Sequence, residues 1–191
     1  MSYRYHLTLR FLKFKSILNV YRQRNYKDFL SLAEKGDIDA QMIVASMLIG
    51  GQGIQRNIRE GQIWRKKAAD QNDVQAQYLY GWYCLENHDF FNGQYYLHKA
   101  SSKNYIKALH DEANLLEYGD FGYKKDINTA IKLYQKACLL GCRKSCKYLY
   151  SILVEIIGKK KAKQYIKNNI GCFNFNLLIM LGINFKKGSV Q

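Results

Sequence analysis

The chain has 191 residues, of which 48% are hydrophobic, so it can bury a core without disulfides or a bound metal. It contains no proline and 14 glycines, so glycine must supply most of the breaks between helices. The composition therefore favours an all-helical chain.

The formal charge of +15 is concentrated at the two ends of the chain. Residues 1–27 hold 7 Lys/Arg and no acid, residues 28–142 hold 13 Lys/Arg and 14 acids, and residues 143–191 hold 10 Lys/Arg and one acid. The three segments carry +7, −1 and +9. A neutral middle with basic ends is typical of a folded body with solvated ends, rather than of a continuous groove for nucleic acid.

The N-terminal segment lacks the apolar stretch and the small-residue cleavage site of a signal peptide. We therefore expect a cytoplasmic protein. Apolar residues recur at helical spacing in this segment and predict a basic first helix, namely Phe11, Phe14, Leu18 and Tyr21.

The C-terminal apolar run "CFNFNLLIMLGINF" is shorter than the ~20 residues that a bilayer span requires. It is predicted to be a cap, with Phe173, Leu177, Met180 and Leu181 on one helical face. The matching stripe on the preceding helix consists of Tyr148, Ile152 and Ile156.

Residues 28–155 contain an internal sequence repeat. Four small residues set the register, and they lie 36, 32 and 37 residues apart: Ala40, Ala76, Ala108 and Ser145. Five residues after the first three anchors stand Ala45, Gly81 and Ala113, and eight before the four anchors stand Leu32, Ala68, Ala100 and Ala137. Each unit is therefore predicted to form two helices, and the small residues allow these helices to pack closely against each other.

Four residues before each anchor stands Gly or Asn, at Gly36, Asn72, Asn104 and Gly141. These are the residue types that adopt the left-handed conformation at a helix end. Each unit is therefore predicted to be a helix, a stop and a second helix, and the variation in spacing falls in the loop between the helices of a pair.

The segments "AQMIVA", "GGQGIQRN", "VQAQYLYG" and "YGDFGYKKDINTAIKLYQKACLLG" resemble the Sel-one-like repeat, a relative of the tetratricopeptide repeat. The resemblance implies a right-handed all-α solenoid of stacked antiparallel helix pairs. It divides the chain into a basic helix and half-repeat at 1–35, repeats at 36–157, and a basic helix with an apolar cap at 158–191. The repeats run over about 40–71, 76–103, 108–140 and 145–157 onward.

The resemblance also implies a non-enzymatic scaffold that binds a protein or peptide on its concave face, for example as a bacterial immunity or adaptor protein. By register, the concave positions are Met42, Ser46, Ile49, Tyr78, Trp82, Glu86, His110, Asn114, Glu117, Lys147, Ser151 and Glu155. Tyr78 and Trp82 are the strongest binding candidates, because Tyr and Trp are enriched among binding hot spots. The alternative is that Trp82 only packs between adjacent units.

Three of the five cysteines, Cys138, Cys142 and Cys146, lie close together in sequence. They lack the paired spacing of a zinc site, and Gly141 is predicted to end the helix between them. The resemblance to cysteine-rich members of the family implies a disulfide between Cys138 and Cys146. The alternative is two small residues beside a tight turn in a reducing cytosol.

Motifs for nucleotide binding, zinc proteolysis and serine hydrolysis are absent from the sequence, so neither an enzyme nor a cofactor is predicted. His110, Asp111 and Glu112 form the one cluster of titratable residues, and we expect it on the exposed surface because consecutive helical residues do not face one site. The alternative function is binding of nucleic acid or an anionic membrane surface through the basic termini, as in "GKKKAKQYIKNN".

Overall fold

The structure is a computed structural model that describes residues 26–52 and 54–170. All of the regular elements in these two ranges are α-helices: α1 (Tyr26–Glu34), α2 (Ile38–Gly50), α3 (Ile58–Asp70), α4 (Val74–Glu86), α5 (Phe90–Ser102), α6 (Ile106–Tyr118), α7 (Ile127–Leu139) and α8 (Arg143–Ile170). The predicted all-helical class is confirmed. The predicted basic helix within 1–25 and the predicted cap with Phe173, Leu177, Met180 and Leu181 lie outside the described residues.

The connections between successive helix pairs all have three residues, at 35–37, 71–73, 103–105 and 140–142. The connections within the pairs differ in length, at 51–57, 87–89 and 119–126. Because α2 to α7 all have 13 residues, the whole variation in repeat spacing falls within the pairs, as the sequence predicts.

Each three-residue connection contains one residue with a positive φ. The four angles are 95° at Gly36, 70° at Asn72, 63° at Asn104 and 97° at Gly141. These are the four predicted helix stops. The left-handed residue turns the chain sharply, so that the next helix starts two residues later.

Aspartate or asparagine side chains cap the starts of five helices. In each case the side-chain oxygen accepts a hydrogen bond from a backbone N–H in the first turn, at Asp37, Asn57, Asp73, Asp89 and Asp126. Such a cap contributes about 1 kcal/mol to helix stability. The helix boundaries are therefore set locally at both ends.

The chain divides into two compact units between Ala76 and Gln77, within α4. The core of the first unit includes Phe29, Val44 and Trp64. The core of the second unit is built around Tyr134, Cys138, Cys146, Leu149 and Ile166. Among the described helices, none is both long and apolar enough to cross a membrane.

Glycine permits close packing of α4 and α5 in the second unit. A Cβ atom at Gly81 would lie 2.9 Å from the backbone nitrogen of Leu97. That distance is too short for a residue larger than glycine. The packing of α4 on α5 therefore requires glycine at this position, where the other repeats have Ala45 and Ala113. Gly93 on α5 is buried in the same way, and a Cβ there would lie 3.0 Å from the backbone nitrogen of Leu85.

The last helix, α8, is interrupted at Gly158, where φ is 79° and ψ is 156°. Before the kink, Ser145, Leu149 and Ile152 are buried. After it, Ala162 and Ile166 are buried in the same core. Both arms of α8 therefore pack onto the second unit.

Candidate interaction surface

A single carboxylate connects two helices of the second unit. The Tyr78 hydroxyl and the Trp82 indole Nε1, both on α4, donate hydrogen bonds to Oδ2 of Asp111 on α6, at 2.7 and 3.0 Å. All three side chains are half-buried. Asp111 thus fixes the orientation of two aromatic rings that remain accessible to a ligand.

Further aromatic rings surround this group. Tyr105 packs against Tyr78 with 5.2 Å between the ring centroids, and Phe121 meets Trp82 edge-on at 5.9 Å. Burial, followed by the hydrogen bond to the Asp111 carboxylate, raises the pKa of Tyr78 well above its usual range, so its hydroxyl stays protonated. Trp82 therefore packs against the adjacent repeat and is at the same time partly exposed.

A second acid and aromatic group lies between α6, α7 and α8. The Tyr134 hydroxyl donates a hydrogen bond to Oε2 of Glu117 at 2.8 Å, and Tyr148 stacks on Tyr134 at 5.6 Å between the centroids. Tyr118 is 57% exposed. The negative charge of Glu117 raises the pKa of Tyr118, and Glu155 contributes in the same direction.

His110 and Asn114 occupy the space beside this second group. His110 Nδ1 lies 3.0 Å from the Ser145 hydroxyl oxygen, and its ring packs against Tyr134 and Tyr148. Burial is the main cause that lowers the pKa of His110, so the neutral ring is favoured in the fold. Asn114 Nδ2 donates to the Tyr134 hydroxyl at 3.5 Å, a long hydrogen bond.

The expectation that His110, Asp111 and Glu112 lie on the exposed surface is wrong. Glu112 is only 5% exposed and accepts a hydrogen bond from the Ser101 hydroxyl, and its Oε1 lies 2.9 Å from His98 Nδ1. His110 and Asp111 are half-buried and bonded as described above. The three side chains point in different directions, and each contacts a different neighbouring helix: α8 for His110, α4 for Asp111 and α5 for Glu112.

The first-unit residues that were predicted to bind a partner have local contacts. The Ser46 hydroxyl donates to the carbonyl oxygen of Met42 at 2.8 Å. The side chain of Ile49 packs over Gly61 of α3, where an added Cβ would collide with it. In the second unit, the remaining predicted residues are exposed, namely Glu86, Lys147, Ser151 and Glu155.

The structure joins Cys138 at the end of α7 to Cys146 on α8 by a disulfide, with the two Cα atoms 4.9 Å apart. Both residues are buried, and Cys142 between them is a half-buried free thiol. Gly141 turns the chain between the two helices and brings the two cysteines together. Over the described residues, His, Cys, Asp and Glu form no group of three that could hold a metal ion.

The basic arm of α8 begins directly after the kink at Gly158. Lys159, Lys160 and Lys161 are exposed, while the apolar residues of the same arm are buried. The Tyr165 hydroxyl donates to Oε1 of Gln135 on α7 at 3.1 Å, which ties the arm to the body of the unit. The arm therefore has an apolar inner side and a lysine-rich outer side.

The Sel1 repeat profile matches the chain at residues 38–73, 74–105 and 106–142, which together cover just over half of it. Each match starts at the first residue of α2, α4 or α6 and includes one helix pair with the connection that follows it. No curated protein matches the chain.

Two solved structures show the same fold. A Sel1 repeat protein from Oxalobacter formigenes has 26% identity and a TM-score of 0.59, over 65% of this chain and 96% of that one. A protective antigen present in uropathogenic Escherichia coli strains, which displays an SLR fold, has 21% identity and a TM-score of 0.62. That match covers 85% of this chain but only 38% of the antigen, so this chain spans well under half of its length.

These matches confirm the predicted class, a solenoid of stacked helix pairs, and the predicted family. The structure places the start of each matched repeat at a capped or turned helix N-terminus, as the register of small residues predicts. The chain belongs to the Sel1 repeat family, whose members are typically scaffolds for protein–protein interactions.

Proposed function

We propose that this chain is a non-enzymatic scaffold that binds a protein or peptide partner on the first helices of the repeats in its second unit. We call this surface the first-helix face and define it by Tyr78, Trp82, Asp111, Tyr118 and Tyr148. The observation that supports it best is the pair of hydrogen bonds from Tyr78 and Trp82 to Asp111. Rings that are already held in place lose little conformational freedom on binding, which favours affinity.

The exposure of the aromatic side chains also supports this proposal. Tyr118 and Tyr148 are 57% and 38% exposed, although aromatic side chains of this size usually bury most of their surface. Tyr and Trp dominate binding hot spots, because they supply a large contact area together with a polar atom. A surface with several such side chains, of which Tyr78 and Trp82 are held by Asp111, is suited to a protein or peptide.

The assignment as a non-enzyme rests on how the titratable residues are used. Glu112, Asp111 and Glu117 each accept hydrogen bonds from side chains on neighbouring helices. The bonds to Glu112 and Asp111 connect two repeats, and the bond to Glu117 connects the two helices of one repeat. The sequence contains no motif for nucleotide binding, zinc proteolysis or serine hydrolysis. The acids of the second unit are therefore assigned to structure and recognition.

The test is a capture experiment with the full chain as bait and cell lysate from its source, with quantification by mass spectrometry. The doubly substituted Trp82→Ala, Tyr118→Ala bait should lose a partner that the unmodified bait retains. Tyr95→Ala is the matched control, because Tyr95 is similarly exposed but lies on α5, a second helix. Equal capture by all three baits, or loss with Tyr95→Ala alone, would overturn the proposal, and circular dichroism checks that each bait is folded.

A further inference from the structure

Acidic residues lie near the C-terminal ends of the first helices in the second unit. Glu86 is the last residue of α4, Glu117 is the second-last residue of α6, and Glu155 lies three residues before the kink at Gly158. The negative end of the helix dipole makes a glutamate at such a position unfavourable by about 0.3–1 kcal/mol. Neither α4 nor α6 has a basic residue in its last turn to offset it. Helix stability therefore does not explain these glutamates.

The position of Glu155 is the most informative of the three. Residues 143–191 hold 10 Lys/Arg, and Glu155 is their one acid. Glu155 lies seven residues, about two turns, after Tyr148 and therefore on the same side of α8. The negative charge of Glu117, and after it that of Glu155, raises the pKa of Tyr118. This part of the first-helix face therefore has two carboxylates beside its tyrosines, in a chain whose net charge is +15.

Aromatic rings flank the carboxylates at two places on this face. Trp82 bonds to Asp111, and Phe121 packs edge-on against Trp82. Tyr118 follows Glu117 on α6, and Tyr148 stacks on Tyr134, whose hydroxyl bonds to Glu117. Both described hydrogen bonds to Asp111 go to Oδ2, so Oδ1 keeps its capacity to accept one from a ligand. A carboxylate next to an aromatic ring is the combination that binds a guanidinium or ammonium group, through charge-assisted hydrogen bonds and cation–π attraction.

The two places lie on the same side of α6. Asp111 and Tyr118 are seven residues apart, which is about two turns and ~10 Å along the helix axis. An extended peptide advances ~3.3 Å per residue, so basic side chains about three residues apart would reach both. Lys147 is exposed near the start of α8 and would repel a cation there. We therefore place the cationic groups of a ligand near the C-terminal ends of the first helices, where the glutamates lie.

Resting on the proposed function, we infer that the first-helix face recognises arginine or lysine side chains in a basic segment of its partner protein. The charge of the whole chain opposes a basic ligand, so such binding requires local complementarity. The net positive charge of the chain attracts acidic ligands at long range, whereas the first-helix face prefers basic side chains at short range.

The test uses the two tryptophans of the full chain, Trp64 in the first unit and Trp82 on the face. Their indole N–H signals are followed by ¹H–¹⁵N NMR at physiological salt while a hexa-arginine peptide is added, and Trp64→Phe assigns the two signals. We expect a saturable shift of the Trp82 signal and none of the Trp64 signal. A hexa-glutamate peptide at the same concentrations should leave the Trp82 signal in place.

Charge variants make the test specific. Asp111→Asn should raise the Kd for hexa-arginine about tenfold, the scale of one lost ion pair and its cation–π support. Asp39→Asn removes the same charge from an exposed position on α2 and should change the Kd less than twofold. Glu155→Gln, at an exposed position, should also weaken binding, and it serves as the second variant if Asp111→Asn does not fold.

Three results would overturn the inference. These are an equal response to hexa-glutamate, an equal loss of affinity in Asp39→Asn, and a Trp82 signal that moves with protein concentration alone, which would make a second copy the occupant. If capture through the first-helix face succeeds while hexa-arginine leaves Trp82 unmoved, the inference fails and the proposed function stands. If hexa-arginine binds as expected while no partner is captured, the cation site stands and the scaffold function fails.

Discussion

The indole Nε1 of Trp82 on α4 donates a hydrogen bond to Oδ2 of Asp111 on α6, so that one repeat holds the aromatic side chain of the one before it. The Tyr78 hydroxyl donates to the same oxygen. This contact between helix pairs is polar and directional. It fixes the position of one first helix relative to the next.

Replacement of Asp111 by alanine should therefore destabilise the second unit. Two half-buried donors would lose their acceptor, and we expect the free energy of unfolding to fall by about 2 kcal/mol. Urea denaturation followed by tryptophan fluorescence measures it. Asp111→Asn retains an acceptor oxygen and should lose less than half as much, and an Asp111→Ala protein as stable as the unmodified chain would contradict this account.

The helix ends at the left-handed stops could be predicted from the sequence because they depend on neighbouring residues. The capping side chains at the helix starts were not predicted, although they are also local. The left-handed stops at Gly36 and Asn72 need only the local backbone, and each capping side chain reaches a backbone N–H three residues away. The small residue at Gly81 was predictable as well, since it recurs in register. The left-handed stops and the register of small residues together predict the helix pairs.

The surface could be predicted only in part. Tyr78, Trp82, His110 and Asn114 were proposed by register, but the role of Asp111 and the burial of Glu112 were missed. The partners of Asp111 and His110 lie far away in sequence: Asp111 bonds to a residue 33 positions earlier, and His110 to one 35 positions later. Both separations are close to one repeat length, so polar residues about one repeat apart are a sequence signal for these two contacts. Glu112 bonds to Ser101 only 11 positions earlier, and the repeat spacing gives no signal for that contact.

The stability of the second unit should depend on the protonation of His110. Burial is the main cause that lowers its pKa below the ordinary 6.5, with Lys144 acting in the same direction and Asp111 and Glu117 against it. Since the folded state favours the neutral ring, this contribution is fully present above pH 6.5 and is lost as the pH falls below it. We expect the Tm to fall between pH 7.5 and 5, and to fall less in His110→Phe, measured by thermal denaturation. Equal slopes for the two proteins would show that His110 is not responsible.

The disulfide between Cys138 and Cys146 closes a loop of sequence separation 8. Its loss should lower the stability by about 2–3 kcal/mol, mainly because the unfolded chain gains freedom. Chemical denaturation of the Cys138→Ser, Cys146→Ser protein measures this, and Cys142→Ser is the matched control with the bond intact. Unchanged stability of the double variant relative to that control would contradict the prediction.

The same bond also tests the expectation that the protein is cytoplasmic. Disulfides persist mainly in oxidising compartments, whereas cytosolic thiols are kept reduced. Protein isolated from its native cells under alkylating, non-reducing conditions would show by mass spectrometry how many of its five cysteines are blocked. Two protected cysteines at positions 138 and 146 would favour an oxidising compartment, and five alkylated ones would agree with the cytosol.

Substitution at the helix stops should separate backbone strain from packing. A Cβ at Gly36 would have no atom within 4 Å, so Gly36→Ala tests only the cost of the positive φ of 95°. We expect a loss of about 1 kcal/mol, the scale for an alanine held in a left-handed conformation. Asn104, with φ 63°, provides the reverse substitution: Asn104→Gly should keep or slightly raise the stability, and Asn104→Ala should lower it.

The control for these variants is Gly81→Ala, at a position where the backbone angle is helical and the cost is steric. The added Cβ would collide with the backbone of Leu97, so α5 would have to move away and the loss should exceed that of Gly36→Ala. Urea denaturation of the four variants measures both effects. If Gly36→Ala and Asn104→Ala were as stable as the unmodified chain, the left-handed residues could not be what ends the helices, and the three-residue connections would have to be fixed by packing alone.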